Sequence, residues 1–185
     1  MKGNMKKLAV FVVITTVVTF ISAAMASAAG HKKKAFHGEY AATSVGMCLG
    51  SSPMIPDTFF TNSLTQQSIY TFNSDGTGTV QGTHFGITFP PNQSTALRDI
   101  SWDFTYEVTQ DGTITFVGEG IWKFPGTEDI AYTSSAFSES GKLSGDHKTI
   151  TLGSVTPEAT VLTFPSGFVF EVTCNISRVL IRVGE

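Results

Sequence analysis

Three carboxylates share one face of a predicted strand, and they are the first residues whose spacing could carry chemistry. Asp99, Asp103 and Glu107 follow one another at intervals of four residues. Side chains an even number of residues apart project from the same face of a strand, so a pair of them could act as acid and base in a glycosidase. The opposite face of the same segment is apolar, which favours burial of that face and solvation of this one. We therefore interpret the acidic row as an outer surface.

The four histidines form no metal-binding or catalytic motif. His31, His37, His84 and His147 lack the H-x-x-x-H and H-E-x-x-H spacings that bring two imidazoles to one metal ion. We expect each of them at the surface or in a turn. The hydrolase pattern G-x-S-x-G and the phosphate-binding glycine patterns are also missing from the sequence. The sequence predicts no metal and no cofactor, and it favours an enzyme only if a polar side chain such as His84 or Glu119 projects into the interior.

Aromatic side chains are the remaining candidates, because the chain contains 15 Phe, four Tyr and two Trp. Rows of them at alternate positions could either fill a core or line a ligand cavity, and a small β-barrel has room for either arrangement. The residues predicted to bind a ligand are Tyr70, Phe72, Trp102, Phe104, Tyr106, Phe116 and Trp122 on strands, with Phe59 and Phe60 in a loop.

Repeated β-hairpins must position these aromatic rows. Apolar and polar residues alternate over nine positions from Ile100 to Val108, which predicts a strand with one buried face. The chain then turns at Asp111-Gly112, and similar units turn at Asp75-Gly76 and near Gly145-Asp146. No helical period accompanies them. The pattern predicts an all-β fold, an up-and-down antiparallel β-barrel of 8–9 strands.

Tight turns and longer connections alternate along the chain, which favours a barrel over a two-sheet sandwich. In a meander the two sets lie at opposite ends, and binding loops are expected at the end with long connections. The 49–66 segment, with Pro53 and Pro56, is predicted to be a loop that covers a cavity or plugs the core. The tight turns are predicted at Asp75, Asp111, Asp146 and Ser166, and the long connections at 49–66, 89–99, 123–130 and 153–158.

A change of phase in the last strand predicts a bulge or a break near Asn175. Phe168, Phe170 and Val172 fall on even positions, whereas the apolar residues Val179, Ile181 and Val183 fall on odd ones. A shift of one residue moves every side chain to the other face of a sheet.

The first 28 residues have the layout of a secretory signal peptide. A basic start precedes an apolar run from Leu8 to Ile21, and small residues with two A-x-A cleavage sites follow. A spanning helix needs about 20 apolar residues, so this shorter run favours cleavage over an anchor, and no membrane span is expected. We predict a signal peptide at 1–28, a basic flexible tail at 29–35 and one β-barrel domain at 36–185, secreted or periplasmic.

Charge and cysteine content narrow the choice of partners. Cleavage would leave nine basic and 15 acidic side chains, a net charge of −6. An acidic chain without an Arg-rich stripe argues against nucleic acid. The two cysteines, Cys48 and Cys174, are expected to form a disulfide in an oxidising compartment, with two buried free thiols as the alternative. We expect a monomer or a weak oligomer.

The layout resembles the lipocalin-like (calycin) barrels. That family has a G-x-W motif on its first strand, a large first loop over the barrel mouth, and an arginine that packs over the tryptophan. Here Gly38-Glu39-Tyr40 stands at the place of the motif with Tyr for Trp, the 49–66 segment resembles the first loop, and Arg178 or Arg182 could be the arginine. In that family a helix follows the barrel, and this sequence departs from the family because it predicts no such helix. The resemblance implies a small hydrophobic ligand inside the barrel.

Two further resemblances bear on function. The D-G-T-G-T hairpin and the terminal segment Cys174 to Leu180 look like those of exported bacterial proteins. Allene-oxide-cyclase-like barrels share the architecture, which keeps an enzyme open as a third hypothesis. The leading hypothesis is an exported barrel that binds a small molecule in an apolar cavity under the 49–66 loop. The alternative is a structural or protein-interaction domain without a ligand, which predicts solvent-exposed apolar residues among Phe59, Phe60, Phe85 and Phe89.

Overall fold

The structure is a computed structural model that describes residues 36–55, 57, 59–89, 93–153 and 159–184. The predicted signal peptide at 1–28 and the basic tail at 29–35 lie outside the described residues. The described chain forms ten β-strands, which are β1 (Gly38–Ser51), β2 (Phe59–Phe72), β3 (Thr77–Thr88), β4 (Ser94–Val108), β5 (Thr113–Lys123), β6 (Ile130–Ser134), β7 (Phe137–Leu143), β8 (Thr149–Gly153), β9 (Ala159–Thr163) and β10 (Val169–Val183).

The ten strands close into one antiparallel ring with eight positions. Strand β1 pairs with both β2 and β10, so the first and last strands join. Strands β6 and β7 follow one another along β5, and β8 and β9 lie end to end along β10. An even number of positions lets every neighbouring pair run antiparallel around the closed ring. The predicted all-β, up-and-down antiparallel barrel is confirmed.

The parity of the sequence decides which side chains enter the barrel. In β1 to β5 and in β10, the buried side chains occupy even-numbered positions, as the two-residue period of a strand requires. The row predicted from Ile100 to Val108 follows this rule, with Ile100, Trp102 and Phe104 buried. Asp99, Asp103 and Glu107 lie on the opposite side of that strand, as interpreted from the sequence.

The half of the interior beside the tight turns is a packed aromatic core. Two tyrosines tie it to the chain around it: the hydroxyl of Tyr40 donates to the carbonyl of His147 at 2.6 Å, and that of Tyr106 donates to the carbonyls of Phe36 and Asn73. Ring centroids of neighbouring aromatics lie 5–6 Å apart, mostly edge to face or tilted. The core includes Phe36, Tyr40, Tyr70, Phe72, Phe104, Ile114, Phe116, Ile150 and Leu180.

The turn aspartates fix the hairpins through their side chains. Asp75 accepts hydrogen bonds from the backbone N–H of Thr77 at 2.9 Å and from its hydroxyl at 2.7 Å. Asp111 and Asp146 make the corresponding bonds two residues ahead. Hydrogen bonds stabilise each ionised carboxyl, chiefly from the Thr77 hydroxyl to Asp75, from the Lys142 ammonium to Asp111 and from the Ser144 hydroxyl to Asp146. The pKa of each of the three aspartates therefore lies below its usual range. The three residues serve as turn residues, as the sequence indicates.

The predicted loop at 49–66 is wrong. Strand β1 continues to Ser51 and β2 begins at Phe59, so the connection spans only 52–58 and is too short for the predicted lid. Both prolines fall inside that short connection, and the polar residues that suggested a loop are the outward row of β2. The 89–99 connection is shorter for the same reason, because β4 begins at Ser94, whereas 123–130 agrees with the turn at 124–129.

The predicted assignment of two connections to the ends of the barrel is also wrong. The Ser166 turn joins β9 to β10 at the end that carries 52–58, 89–93 and 124–129. The 153–158 segment separates β8 from β9, which run in the same direction along β10, so the chain does not reverse there. The turns at Asp75, Asp111 and Asp146 do share the opposite end.

No bulge interrupts β10 near Asn175. The pairing of β10 with β1 runs without a shift from Glu171 to Val183. Even positions stay inside throughout, so Arg178 is buried while Val179 and Ile181 face outward with 46% and 58% of their surface exposed. The change of apolar phase is real, but it reflects a polar interior and an apolar exterior at this point of a regular strand.

Candidate functional site

A pocket of about 120 Å³ occupies the other half of the interior and opens to solvent. An apolar cavity of roughly 150 Å³ binds a benzene molecule. This pocket is somewhat smaller but open on one side, so it suits a ligand of no more than one ring. Its apolar wall comes from six strands and includes Phe60, Leu64, Trp102, Trp122, Tyr132, Phe137 and Leu162.

Three of the residues predicted to bind a ligand line this pocket: Phe60, Trp102 and Trp122. Trp122 stacks on Tyr132 with ring centroids 4.9 Å apart, and Trp102 meets Phe137 edge to face at the same distance. The remaining predicted residues do not reach the pocket. Tyr70, Phe72, Phe104, Tyr106 and Phe116 pack in or against the aromatic core, and Phe59 points outward with 63% of its surface exposed.

The inner part of the pocket is polar, because it contains a buried ion pair. Arg178 on β10 and Glu139 on β7 are 2% and 5% exposed. The guanidinium donates hydrogen bonds to the carboxylate from Nε and Nη2, with N–O distances from 2.8 to 3.1 Å. Its central carbon also lies 4.7 Å from the centre of the Trp102 ring, a cation–π distance. Burial opposes the charge on Arg178, but the charge and hydrogen bonds of the Glu139 carboxylate together with Tyr70 outweigh burial and keep the pKa of Arg178 above its usual value.

The ion pair extends into a hydrogen-bonded chain that ends on a histidine. Nη1 of Arg178 donates to Oγ of Ser44 at 2.9 Å and to Oε1 of Gln66 at 2.5 Å. Nε2 of Gln66 lies 3.1 Å from Nδ1 of His84. Burial, followed by the positive charges of Arg178 and Arg98, lowers the pKa of His84 to about 4. The imidazole is therefore neutral near pH 7.

The expectation that every histidine lies at the surface or in a turn is wrong for His84. It is only 5% exposed and lines the pocket. His147 is an exposed turn residue as expected, with φ of 58°, and His37 is exposed. His31 lies outside the described residues. Glu119, the other residue named for an inward polar group, faces outward on β5.

Sequence reasoning missed Glu139, Gln66 and Ser44 entirely. One available signal was the parity of the strands, since carrying the even rule through β1, β2 and β10 places Ser44, Gln66 and Arg178 inside. A buried charge needs a partner, so an inward Arg178 required an inward carboxylate. Nothing in the local pattern identifies Glu139 as that carboxylate, because it lies on a short Ser-rich strand.

Several polar atoms of the pocket wall have no hydrogen-bond partner among the described residues. They include Oδ1 of Asn62 and the indole Nε1 atoms of Trp102 and Trp122. A buried polar atom without a partner costs about 1–3 kcal/mol.

The Cys48–Cys174 disulfide lies in the pocket wall. The two residues are directly opposite in the β1–β10 pairing, and their Cα atoms are 4.0 Å apart. The predicted bridge is therefore present and joins the two strands that close the barrel. A disulfide is compatible with an extracellular location.

The described residues hold no group of three or more His, Cys, Asp or Glu side chains placed to bind a metal ion. Within the same residues there is no helix with the length and apolar character needed to cross a membrane. Comparison of the chain with protein-family models, with curated proteins and with solved structures gives no match in any of the three.

Proposed function

We propose that this protein binds a small, mainly apolar molecule in the pocket at the open half of the barrel. One observation carries the proposal: an open pocket with an aromatic wall has a few convergent polar groups at its inner part. Ligand sites of proteins commonly combine an apolar wall with a small number of fixed polar groups. We further propose that residues 1–28 direct export, which would place the binding site in the oxidising compartment where a disulfide persists.

Charge favours a neutral ligand. The positive charge of Arg178 is balanced by Glu139 at hydrogen-bond distance, and His84 is neutral. A ligand with a net charge would lose its hydration on entering the pocket and find no unpaired opposite charge among these groups. A neutral molecule avoids that cost while burying its apolar surface.

The same network argues for binding over catalysis. A general base needs an accessible lone pair near the substrate. The acceptor nitrogen of His84 is occupied by the Gln66 amide, and the Glu139 carboxylate is occupied by Arg178. An allene-oxide-cyclase-like enzyme stays a third hypothesis, and it would require this network to rearrange.

The lipocalin-like relationship also remains a proposal. Supporting it, Tyr40 of the Gly38-Glu39-Tyr40 segment is directly opposite Arg182 in the β1–β10 pairing. The Arg182 guanidinium lies against Gly38, where an added Cβ would be 3.2 Å from Nη2. Of the two arginines considered from the sequence, Arg182 is thus the one beside the first-strand motif, while Arg178 packs on Trp102.

A dye-binding experiment with a blocked pocket tests the proposal. 4-(Dimethylamino)benzonitrile is a neutral single-ring dye whose fluorescence changes with the polarity of its surroundings, so it matches the size of the pocket. We expect saturable one-to-one binding to the protein and at least about tenfold weaker binding to Leu162→Trp, because the larger side chain fills the pocket. Val161→Trp is the matched control, since Val161 is the next residue on β9 and faces the other way. Its affinity should stay within about twofold of the original.

Equal loss of affinity in both tryptophan variants, or no saturable binding to the unaltered protein, would contradict the proposal. Circular dichroism of each variant verifies that the barrel is folded before affinities are compared.

The protein-interaction alternative is favoured by one observation on the outer surface. Phe59, Phe85 and Phe89 are 63%, 42% and 37% exposed, and Phe85 is directly opposite the exposed Leu97. Of the four aromatics among which this alternative predicts exposed residues, three are therefore exposed, and Phe60 is partly buried. If dye binding survives Leu162→Trp and is lost in Phe85→Ser, the apolar contact surface is the outer one.

A further inference from the structure

We infer that the pocket selects neutral aromatic molecules that carry a hydrogen-bond acceptor, and that this acceptor accepts a hydrogen bond from the Nε2–H group of His84. The inference rests on the proposed binding function and assigns the chemical class of the ligand. His84 donates the hydrogen bond that selects this class of ligand. Gln66 is a positioning residue, because its amide determines which nitrogen of His84 carries the proton.

The orientation of the Gln66 amide follows from its neighbour. A guanidinium carries only donors, so the Gln66 atom that meets Nη1 of Arg178 at 2.5 Å must be the carbonyl oxygen. The NH₂ group of the same amide then faces Nδ1 of His84 at 3.1 Å. An NH₂ group carries no lone pair available for acceptance. Nδ1 of His84 is therefore the acceptor.

The tautomer of His84 follows from that contact. A neutral imidazole has one acceptor nitrogen and one donor nitrogen. With Nδ1 accepting, the proton resides on Nε2. Burial and the charges of Arg178 and Arg98 disfavour a second proton, since they lower the pKa of His84 to about 4. Arg98 is directly opposite His84 on β4, and Glu139 is already occupied by Arg178.

The Nε2 donor lies at a corner of the pocket that a glycine keeps open. A Cβ added to Gly86 would lie 3.0 Å from Nε2 of His84 and 3.1 Å from Oδ1 of Asn62. Both side chains line the pocket, and Oδ1 of Asn62 has no partner among the described residues. The Trp122 ring stands perpendicular to the imidazole, with centroids 6.5 Å apart. An aromatic ligand packed against this wall would thus have a hydrogen-bond donor, Nε2 of His84, at the edge of its ring.

The charges around this corner favour a ligand without a net charge. Arg178 and Glu139 form a closed pair, so neither a carboxylate nor an ammonium group of a ligand finds a free counter-ion in that pair. The other cation near His84, Arg98, is not among the residues that line the pocket, and the central carbon of its guanidinium lies over the Phe124 ring, 4.8 Å from its centre. A neutral acceptor such as a ketone or an amide carbonyl meets the donor at the smallest desolvation cost.

The first test reads the tautomer without any ligand. Long-range proton–nitrogen correlation spectra of the ¹⁵N-labelled protein distinguish the two imidazole nitrogens of His84. We expect the proton on Nε2 and a ring that stays neutral down to about pH 4. In Gln66→Glu the new carboxylate can only accept, so we expect the proton to move to Nδ1 and the pKa of His84 to rise by at least about one unit. Gln67→Glu, at the adjacent outward position of β2, should change neither.

The second test uses two probes of the same shape. Acetophenone and α-methylstyrene differ only in an oxygen atom for a CH₂ group. We expect the preference for acetophenone to fall by about five- to tenfold when His84 is replaced by Phe, which keeps a ring of similar size and removes the donor. The ratio of affinities cancels the different hydration of the two probes. Benzoate and benzamidine, their charged counterparts, should bind more weakly than acetophenone.

The outcomes separate this inference from the proposed function. Binding of both probes with a preference that His84→Phe leaves unchanged overturns the inference and leaves the binding function standing. A proton on Nδ1 in the unaltered protein overturns it without any ligand, as does benzoate that binds more tightly than acetophenone. If neither probe binds the unaltered protein and the dye does not bind either, the proposed function and this inference fall together.

Discussion

Replacing Glu139 with Gln is expected to lower the free energy of unfolding by about 3–5 kcal/mol. The substitution keeps the size of the side chain and removes the charge that balances Arg178, whose guanidinium is 2% exposed. A buried charge that loses its partner keeps the full cost of its lost hydration. Urea unfolding at pH 7 with the disulfide intact measures the change.

An exposed ion pair provides the control. Lys123 pairs with Glu128, whose side chain is 93% exposed, so Glu128→Gln should cost less than about 1 kcal/mol. Equal and small losses in the two variants would mean that Arg178 reaches water, contrary to the structure. Replacing both partners, in Glu139→Leu with Arg178→Met, should cost less than Glu139→Gln alone, because no charge is then left in the barrel.

Removing the disulfide in Cys48→Ala with Cys174→Ala is expected to cost about 5 kcal/mol of stability at 25 °C in the chain-entropy model. The bridge joins residues 126 positions apart, so it constrains nearly the whole described barrel in the unfolded chain. The effect comes mainly from the unfolded state, since the pairing of β1 with β10 holds the two strands together in the folded one. Denaturant unfolding of the oxidised protein and of the double variant gives the difference.

Reduction of the unaltered protein serves as the matched comparison, because it breaks the same bond and leaves both sulfur atoms in place. Reduced protein and double variant should lose stability to within about 1 kcal/mol of each other, the scale of the lost sulfur packing. A loss below about 1 kcal/mol in both would show that the long loop is already constrained in the unfolded chain.

The barrel could be predicted from the sequence because its signals are local. The alternation from Ile100 to Val108 and the Asp-Gly turns each report on a few neighbouring residues, and they gave the antiparallel meander and the end that Asp75, Asp111 and Asp146 share. The bridge between Cys48 and Cys174 followed from the number of cysteines and the expected compartment. Each of these features needs no knowledge of distant contacts.

The site could not be predicted because its parts are joined only by the closed fold. The apolar residues of a strand predict which of its faces is buried, on the premise that they point inward. In β10 that premise fails, since Val179 and Ile181 are exposed and Arg178 is inside. The carboxylate that balances the charge of Arg178 belongs to Glu139 on β7. The amide that extends the hydrogen-bond network to His84 belongs to Gln66 on β2. No pattern within one strand connects those three elements.

Phe59 and Phe60 show why a predicted loop does not distinguish the residue that lines the pocket from the residue that faces solvent. A loop at 49–66 predicts that both residues contact a ligand. As part of a strand, neighbouring residues must face opposite sides, so Phe60 packs against Phe170 inside and Phe59 faces water. The exposed row that includes Phe59 and Phe85 keeps the interaction alternative testable.

The location of a bound probe tests the central claim, a ligand pocket in the open half of the barrel, most directly. Crystals soaked in 4′-bromoacetophenone give anomalous scattering from the bromine atom, which marks the probe without ambiguity. The account predicts a bromine peak inside the barrel between Phe60, Trp122 and Leu162, with the carbonyl oxygen toward Nε2 of His84. Bromine bound only on the outer surface, or an interior filled by protein side chains, would contradict it.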